Sequence, residues 1–235
     1  MTMSTYLLYL FSAFVYASLA LCVLLSYRIA KVVNLSLGSV FTLGGYLSIL
    51  SPLISPVVGA LIGLLLHTCT KRMDMGRATL FSLGLAIAIE EVLRISFRVE
   101  YILLRSEIIH LFEAKLALEH LLAFLISAAF IASFLTFDVK SPLGRLKLKV
   151  VEEDSEIAEI YGIDTERVRA IILIISSALF CCLGSLYLSG RIINPTIGWL
   201  SLVFSFITAT IANAFKEKAY MLVFPVSLGL CWLTW

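Results

Sequence analysis

The sequence predicts an all-α polytopic membrane protein, and its composition and its longest uncharged stretch support that prediction. Of its 235 residues, 60% are hydrophobic and 14% are charged, with a mean hydropathy of +1.01. A soluble domain has roughly 45–50% apolar and about 25% charged residues. The stretch from Ser4 to Ser26 has no charge and exceeds the about 20 residues that a membrane-crossing helix needs. We therefore expect one transmembrane domain over residues 1–235. The net charge of +2 gives no reason to expect a nucleic-acid partner.

Apolar stretches along the chain predict seven or eight membrane segments, some of them crossing incompletely. The first stretch has no basic region before it and no small-residue cleavage site, so we expect a retained helix rather than a signal peptide. Pro52 and Pro56 separate the second stretch from the third. The predicted segments are Thr5–Tyr27, Leu35–Leu50, Val57–His67, Thr79–Phe97, Leu118–Phe137, Ala170–Gly190, Ile197–Phe215 and one within Ala219–Trp235.

The basic residues predict the orientation of these segments. If the polar connection 138–169 is cytoplasmic, all but five of the 18 Lys and Arg residues fall on the inner side. The opposite orientation would invert this bias, so we expect the N-terminus to lie outside. The five basic residues of the outer half are Arg94, Arg98, Arg105, Lys115 and Arg191.

Three ionisable residues, Glu90, Glu91 and Arg94, interrupt the fourth apolar stretch. About ten large apolar residues favour its insertion by roughly 3 to 6 kcal/mol. Three ionisable groups at mid-bilayer would each cost about 2.5 to 3.5 kcal/mol and cancel that gain. We expect them near the outer end, with Glu90 and Arg94 neutralising one another four residues apart, or else facing the interior of the bundle.

Two polar breaks of the same form, Asn34–Gly38 and Asn194–Gly198, each precede an apolar stretch rich in small residues. Asparagine is a strong N-cap, and Pro195 suits a first helical turn because its missing N–H would have no partner there. In the predicted topology the two following stretches run in opposite directions, an arrangement typical of transporters. A helix N-terminus inside the membrane would suit an anionic group. Both asparagines could instead cap ordinary helices at the lipid boundary.

The connection 138–169 is the only long polar stretch. Its acidic run is followed by an incomplete apolar face, which predicts a short surface helix that ends at Gly162. The residues of "DTER" from Asp164 form a capping pattern for the next helix. This helix suits docking to another protein, and the alternative is a solvated linker.

The cysteines and histidines do not predict a metal site. The five cysteines lie in or beside apolar runs without a CxxC motif, so we expect buried thiols. His67, His110 and His120 have no ligand spacing.

Three blocks of the sequence are "NLSLGSVFTLGGY", "SPLGRLKLKVVEEDSEIAEIYGIDTERV" and "INPTIGW". In this order they resemble the permease subunits of ATP-binding-cassette importers for branched-chain amino acids, and the second block is the most specific. The family usually has a glycine-rich GGxGS-type segment and further helices after the third block, where this chain has "ATIANAFKEKAY". The resemblance covers most of Tyr6–Ala214 and matches weakly around Arg98–Glu119.

The resemblance implies a function, partners and site residues. The chain would be a permease in the plasma membrane of a prokaryote, moving branched-chain amino acids or a similar small polar solute. It would bind no cofactor, and it would not be an enzyme, since ATP would be hydrolysed on separate subunits. Its partners would be a second permease subunit, two ATPase subunits, an extracytoplasmic solute-binding protein and the lipid bilayer. The implied substrate path comprises Asn34, Ser36, Gly38, Gly44, Gly45, Asn194, Pro195 and Gly198; the implied ATPase-coupling residues are Gly144, Arg145, Glu153, Asp154, Ala158 and Gly162.

Two other functions remain open at the level of sequence. A degenerate permease-like protein could act only as an assembly partner, without transport. An intramembrane protease of the Glu-Glu type would use Glu90 and Glu91 with an arginine and histidines on other helices. Such enzymes have the arginine four positions after the pair, whereas Arg94 follows Glu91 by three.

Overall fold

The computed structural model describes residues 3–97, 101–104, 108–111, 114–140, 149–215 and 219–233. Each of the eight predicted apolar stretches forms a helix, which confirms the predicted fold class. The helices are α1 (Met3–Arg28), α2 (Ser36–Leu47), α3 (Ser55–Thr70), α4 (Met75–Phe97), α5 (Leu118–Lys140), α6 (Ser155–Ile160), α7 (Thr165–Tyr187), α8 (Ile197–Asn213) and α9 (Ala219–Leu233). Within the described residues, Leu8–Arg28, Leu118–Phe137 and Thr165–Tyr187 are long and apolar enough to cross a membrane.

Several of the other helices are too short to cross the hydrocarbon alone. At 1.5 Å per residue, the 12 residues of α2 span about 18 Å of a core about 30 Å thick. The 17 residues of α8 span about 26 Å. α2 is thus shorter than a complete crossing, as predicted for some of the segments, and α8 is at the lower limit of the length that a crossing needs.

Two small antiparallel ladders, which the sequence did not predict, lie between the helices. β1 (Ile102–Leu103) pairs with β4 (Ile192–Ile193), and β2 (Ile108–Leu111) pairs with β3 (Ala114–Ala117). The first ladder joins the segment after α4 to the segment before α8. It therefore fixes the two connections at one end of the bundle.

The helices pack in a reciprocal pattern. α1 packs against α8 and α9, and α7 packs against α2 and α3. Each of the two central helices therefore contacts the short helices of the other half of the chain. α1 is the centre of the core, and Val15, Ala17 and Leu19 on it have no solvent exposure.

Polar contacts concentrate at the end of the bundle where α1, α3 and α8 end and α7 and α9 begin. Arg169 donates a hydrogen bond to the carbonyl oxygen of Thr70 at 3.2 Å, and Lys71 forms an ion pair with Glu166. The predicted inner positions Arg28, Lys31, Lys71 and Arg169 lie at this end, which we call the polar end.

The predicted burial of the five thiols is correct for Cys22, Cys181 and Cys231. Cys182 is partly buried, and the prediction is wrong for Cys69, which is exposed near the end of α3.

Candidate functional site

The two polar breaks meet in the structure, because the helices that follow them cross antiparallel at their first turns. Gly198 donates its N–H to the hydroxyl oxygen of Thr42 at 2.9 Å. A methyl group on Gly198 would overlap the carbonyl oxygen of Gly38, and one on Gly38 would lie 3.3 Å from Cβ of Leu202. Thr42 of α2 contacts Gly198 of α8, and the earlier Gly38 lies against the later Leu202, so the two helices run in opposite directions. Position 198 therefore requires glycine for this backbone contact, whereas at position 38 a small side chain fits only with small shifts of its neighbours.

Asn34 lies at the start of α2 and is 2% exposed. Its Oδ1 accepts hydrogen bonds from the N–H of Ser36 at 3.2 Å and from the Ser36 hydroxyl at 2.7 Å. The N-cap position itself is Leu35, so Asn34 caps the helix from one residue earlier. The Nδ2 atom of Asn34 is buried and has no hydrogen-bond acceptor among the described residues.

The second break differs from the first in its capping. The N-cap of α8 is Thr196, without a side-chain cap. Oδ1 of Asn194 accepts only a long hydrogen bond of 3.5 Å from the Thr196 hydroxyl, so the predicted capping by Asn194 is wrong. Pro195 is buried in the turn before α8. Here the backbone makes the turn, as Ile197 donates its N–H to the carbonyl oxygen of Asn194 at 3.2 Å.

The other small residues of α2 face a different neighbour. A methyl group on Gly44 would overlap the carbonyl oxygen of Cys181, and one on Gly45 would contact the Leu188 side chain. Gly184 in turn lies against the backbone of Phe41. These glycines bring α2 and α7 into backbone contact, as expected for small residues between membrane helices.

The side chain of Glu90 on α4 contacts both short helices, α2 and α8, and it is only 7% exposed. Its Oε1 accepts hydrogen bonds from the Ser39 hydroxyl at 2.9 Å and from the indole N–H of Trp199. The predicted Glu90–Arg94 pair is wrong, because Arg94 pairs with Glu91 at 3.4 Å, both about half exposed. Arg94 and Glu91, three residues apart, lie on the outer face of α4, whereas the side chain of Glu90 faces inward. The two glutamates therefore do not share a site.

The polar connection forms the predicted short helix, α6. Asp154 caps it by accepting the N–H of Ile157 at 3.4 Å. Gly162 ends it with a positive φ of 74°, which confirms the predicted stop. Asp164 caps α7 by accepting the N–H of Arg167 at 3.0 Å, as the "DTER" pattern predicted.

The side chains of α6 divide into an inner and an outer set. Ala158 is fully buried against the core. Ile160 and Tyr161 are 82% and 75% exposed, and Glu153 and Asp154 are exposed beside them. The outer set forms an apolar patch with an acidic border, which we call the α6 patch: Glu153, Asp154, Ile157, Ile160 and Tyr161. Gly144 and Arg145 lie outside the described residues.

Glu152 connects this region to the bundle, a role that the sequence did not suggest. It forms an ion pair with Arg28 at 2.8 Å and accepts a hydrogen bond from the Tyr220 hydroxyl at 3.2 Å. Arg28 also donates to Oδ1 of Asn213 at 2.7 Å. These contacts join residues 149–153, which are helical, to the ends of α1 and α8 and the start of α9.

A cavity of about 420 Å³ lies at the opposite end, beside the ladder of β1 and β4. Polar side chains from α5, from α7 and from the turns after α2 and α7 converge on it: Ser48, Glu119, Ser185 and Ser189. Its volume suits a small solute. Isolated serines in apolar stretches are common, and no spacing in the sequence marked these residues.

A comparison with protein families identifies one match. The model of the family described as "Branched-chain amino acid transport system / permease component" matches residues 5–215. The matched range includes both polar breaks, the 138–169 connection and the helices α1 to α8. No curated protein and no solved structure matches the chain significantly.

Proposed function

Because this chain belongs to the family of branched-chain amino acid transport permease components and is a transmembrane permease of an ABC-type transporter, we propose that it moves branched-chain amino acids or a similar small polar solute. The membrane is the plasma membrane of a prokaryote. Two separate ATPase subunits drive the movement, a second permease subunit completes the membrane part, and an extracytoplasmic binding protein delivers the solute.

The observation that carries this proposal is the contact between α2 and α8 at Gly38 and Gly198. Two short helices with opposed directions meet there at their N-terminal turns, inside a bundle of apolar helices. N-terminal turns offer N–H groups and a partial positive charge within the membrane. Such interrupted helices are the features with which transporters build solute sites.

The proposed path runs from the cavity near Ser48 toward this crossing. Its residues are Asn34, Ser36, Gly38, Gly44, Gly45, Asn194, Pro195 and Gly198. Gly38 and Gly198 are packed backbone to backbone, so passage requires α2 and α8 to separate. A bundle whose helices rock between two arrangements would produce that separation.

The proposed coupling region is the α6 patch, together with Gly144, Arg145 and Gly162, and with Ala158, which packs α6 against the core. The exposed Ile160 and Tyr161 give an ATPase subunit an apolar anchor, and Glu153 and Asp154 give the anchor a charged rim. A push on this surface reaches α1 and α8 through Glu152 and Arg28. α1 directly precedes the first interrupted segment, α2, and α8 is the second interrupted segment.

In this proposal the polar end faces the cytoplasm and the N-terminus lies outside. The supporting observation is that Arg28, Lys31, Lys71 and Arg169 lie at one end of the bundle. Basic residues favour the cytoplasmic side of a membrane.

Reconstitution tests the proposed function. The chain is purified with the proteins that bind it, inserted into liposomes and supplied with radiolabelled leucine and ATP. We expect uptake with ATP and none with a non-hydrolysable analogue. An intact assembly that takes up no solute would favour the alternative function, a permease-like assembly partner without transport.

A further inference from the structure

Glu90 is a buried carboxylate at the point where α4 meets both interrupted segments. Ser39 of α2 and Trp199 of α8 both donate hydrogen bonds to Oε1 of this residue. Ser39 is in the first turn of α2, and Trp199 is in the first turn of α8. One carboxylate oxygen therefore bridges the two helices whose separation would open the proposed path.

Glu90 lies along the length of α4 rather than at the end of the helix. Ser82 of α4 accepts the N–H of Leu35 at 3.1 Å, and Phe97 packs its ring on Tyr46 at 4.7 Å between centroids. α4 therefore runs parallel to α2, from the start of α2 to its end. Glu90 is seven residues before the end of α4, about 10 Å along the helix axis.

The charge of Glu90 has no counter-charge in the described part of the chain. No described Lys or Arg nitrogen lies within ion-pair distance of its carboxylate, and Arg94, one turn away, pairs with Glu91. A buried carboxylate is costly without a cation, although two hydrogen bonds and nearby helix N-termini offset part of that cost. Ionisable residues inside membrane bundles generally mark the path of a solute or ion.

A second buried polar group, Asn34, lies just before α2, the helix whose Ser39 donates to Glu90. Asn34 is bonded to Ser36, and Ser36 and Ser39 are three residues apart and so on one face of α2. The Nδ2 of Asn34 is a buried donor without an acceptor among the described residues. Ser39, which donates to Glu90, follows Asn34 by five residues, so the carboxylate acceptor and the amide donor both adjoin the first turns of α2.

We infer that Glu90 binds the ammonium group of the transported solute. This inference rests on the proposed permease function. The ammonium group supplies the missing positive charge and donates to the carboxylate. Asn34 donates to the carboxylate of the same solute. The site accepts solutes with a primary ammonium group and discriminates against neutral sugars and simple carboxylates.

Ligand binding to the full chain in lipid nanodiscs tests this inference. Three probes of similar size are titrated by ligand-detected NMR: leucine, leucinamide and 4-methylpentanoate, which lacks the ammonium group. We expect leucine and leucinamide to bind and 4-methylpentanoate not to bind. Glu90→Gln keeps the shape of the side chain and should weaken both amines about tenfold or more.

Three variants and a melting curve make the result decisive. Glu91→Gln changes the neighbouring exposed carboxylate and should bind leucine like the wild type, and Glu90→Asp should retain part of the affinity. Thermal melting verifies that each variant is folded. Equal binding of 4-methylpentanoate, unchanged affinity in Glu90→Gln, or no amine binding by the wild type would overturn the inference.

Uptake separates this inference from the proposed function. If the wild-type and Glu90→Gln assemblies import leucine equally well, Glu90 has no role in binding the solute, and the proposed permease function still holds. A wild-type assembly that imports nothing contradicts the permease function instead.

Discussion

The guanidinium group of Arg28 and the carboxylate of Glu152 form an ion pair 2.8 Å long, with side chains only 11% and 24% exposed. Arg28 is the last residue of α1, and Glu152 is in the helical turn before α6. The pair therefore joins the polar connection to the central helix of the bundle. In the proposed function, this pair would transmit a shift of the α6 patch to α1.

Glu152→Gln should uncouple ATP hydrolysis from uptake. The substitution removes the ion pair between Glu152 and Arg28, and we expect a loss of about 1–3 kcal/mol in the free energy of unfolding. ATP hydrolysis and uptake are measured on the same reconstituted assembly. Glu91→Gln is the matched control, because Glu91 is about half exposed, pairs with Arg94 and lies outside the α6 patch. An unchanged ratio of uptake to hydrolysis in Glu152→Gln would remove the proposed link.

Gly198→Ala should destabilise the contact between α2 and α8. The added methyl group would overlap the Gly38 carbonyl oxygen, and overpacking typically costs about 1–3 kcal/mol. Gly84→Ala is the control, because nothing lies within 4 Å of the Cβ added there. In a helix this change should stabilise by about 0.5–1 kcal/mol. Thermal unfolding in detergent compares the two variants, and equal melting temperatures would contradict the contact.

Ile160→Ser together with Tyr161→Ser should release the ATPase subunits. Both side chains are exposed, so the fold should change in stability by no more than about 0.5 kcal/mol. Co-purification of the ATPase with the tagged chain measures the loss. Leu103→Ser, which alters an exposed leucine at the opposite end, is the control. Retention of the ATPase by the double variant would exclude the α6 patch as its anchor.

Asn34→Leu should reduce solute passage. The change removes the two hydrogen bonds from Ser36 and the buried amide donor. Asn34→Asp keeps the acceptor oxygen and separates helix capping from the loss of the donor. Initial rates of leucine uptake in vesicles provide the comparison, and wild-type rates in Asn34→Leu would reduce Asn34 to an ordinary helix cap.

The helices could be predicted from the sequence because hydropathy determines them directly. Every apolar stretch became a helix, and the polar breaks shortened α2 and α8 as expected. The repeated Asn-x-x-x-Gly spacing indicated that Gly38 and Gly198 occupy equivalent positions, but spacing alone does not predict the contact between them. Gly162 and Asp164 were also predictable, since a helix stop and an N-cap depend on local backbone chemistry.

The contacts of the charged residues could not be predicted, because they depend on helix rotation and on partners far along the chain. Glu90 can pair with Arg94 on an isolated helix, but rotation of α4 brings it to Trp199, 109 residues away. Glu152 forms its ion pair with Arg28, which is 124 residues away along the chain. The ladder of β1 and β4 arises in the same way, from two short segments without a strand pattern of their own.

A reversible cross-link between α2 and α8 tests most directly whether the two interrupted helices must separate during transport. A Cβ atom built on Gly38 lies 3.3 Å from Cβ of Leu202, close to the about 3.5–4.5 Å of a disulfide. The double variant Gly38→Cys, Leu202→Cys is reconstituted with its ATPase, and each single variant is the control. The account predicts that oxidation stops ATP-driven uptake in the double variant and that reduction restores it. Uptake at the full rate with the cross-link closed would contradict the account.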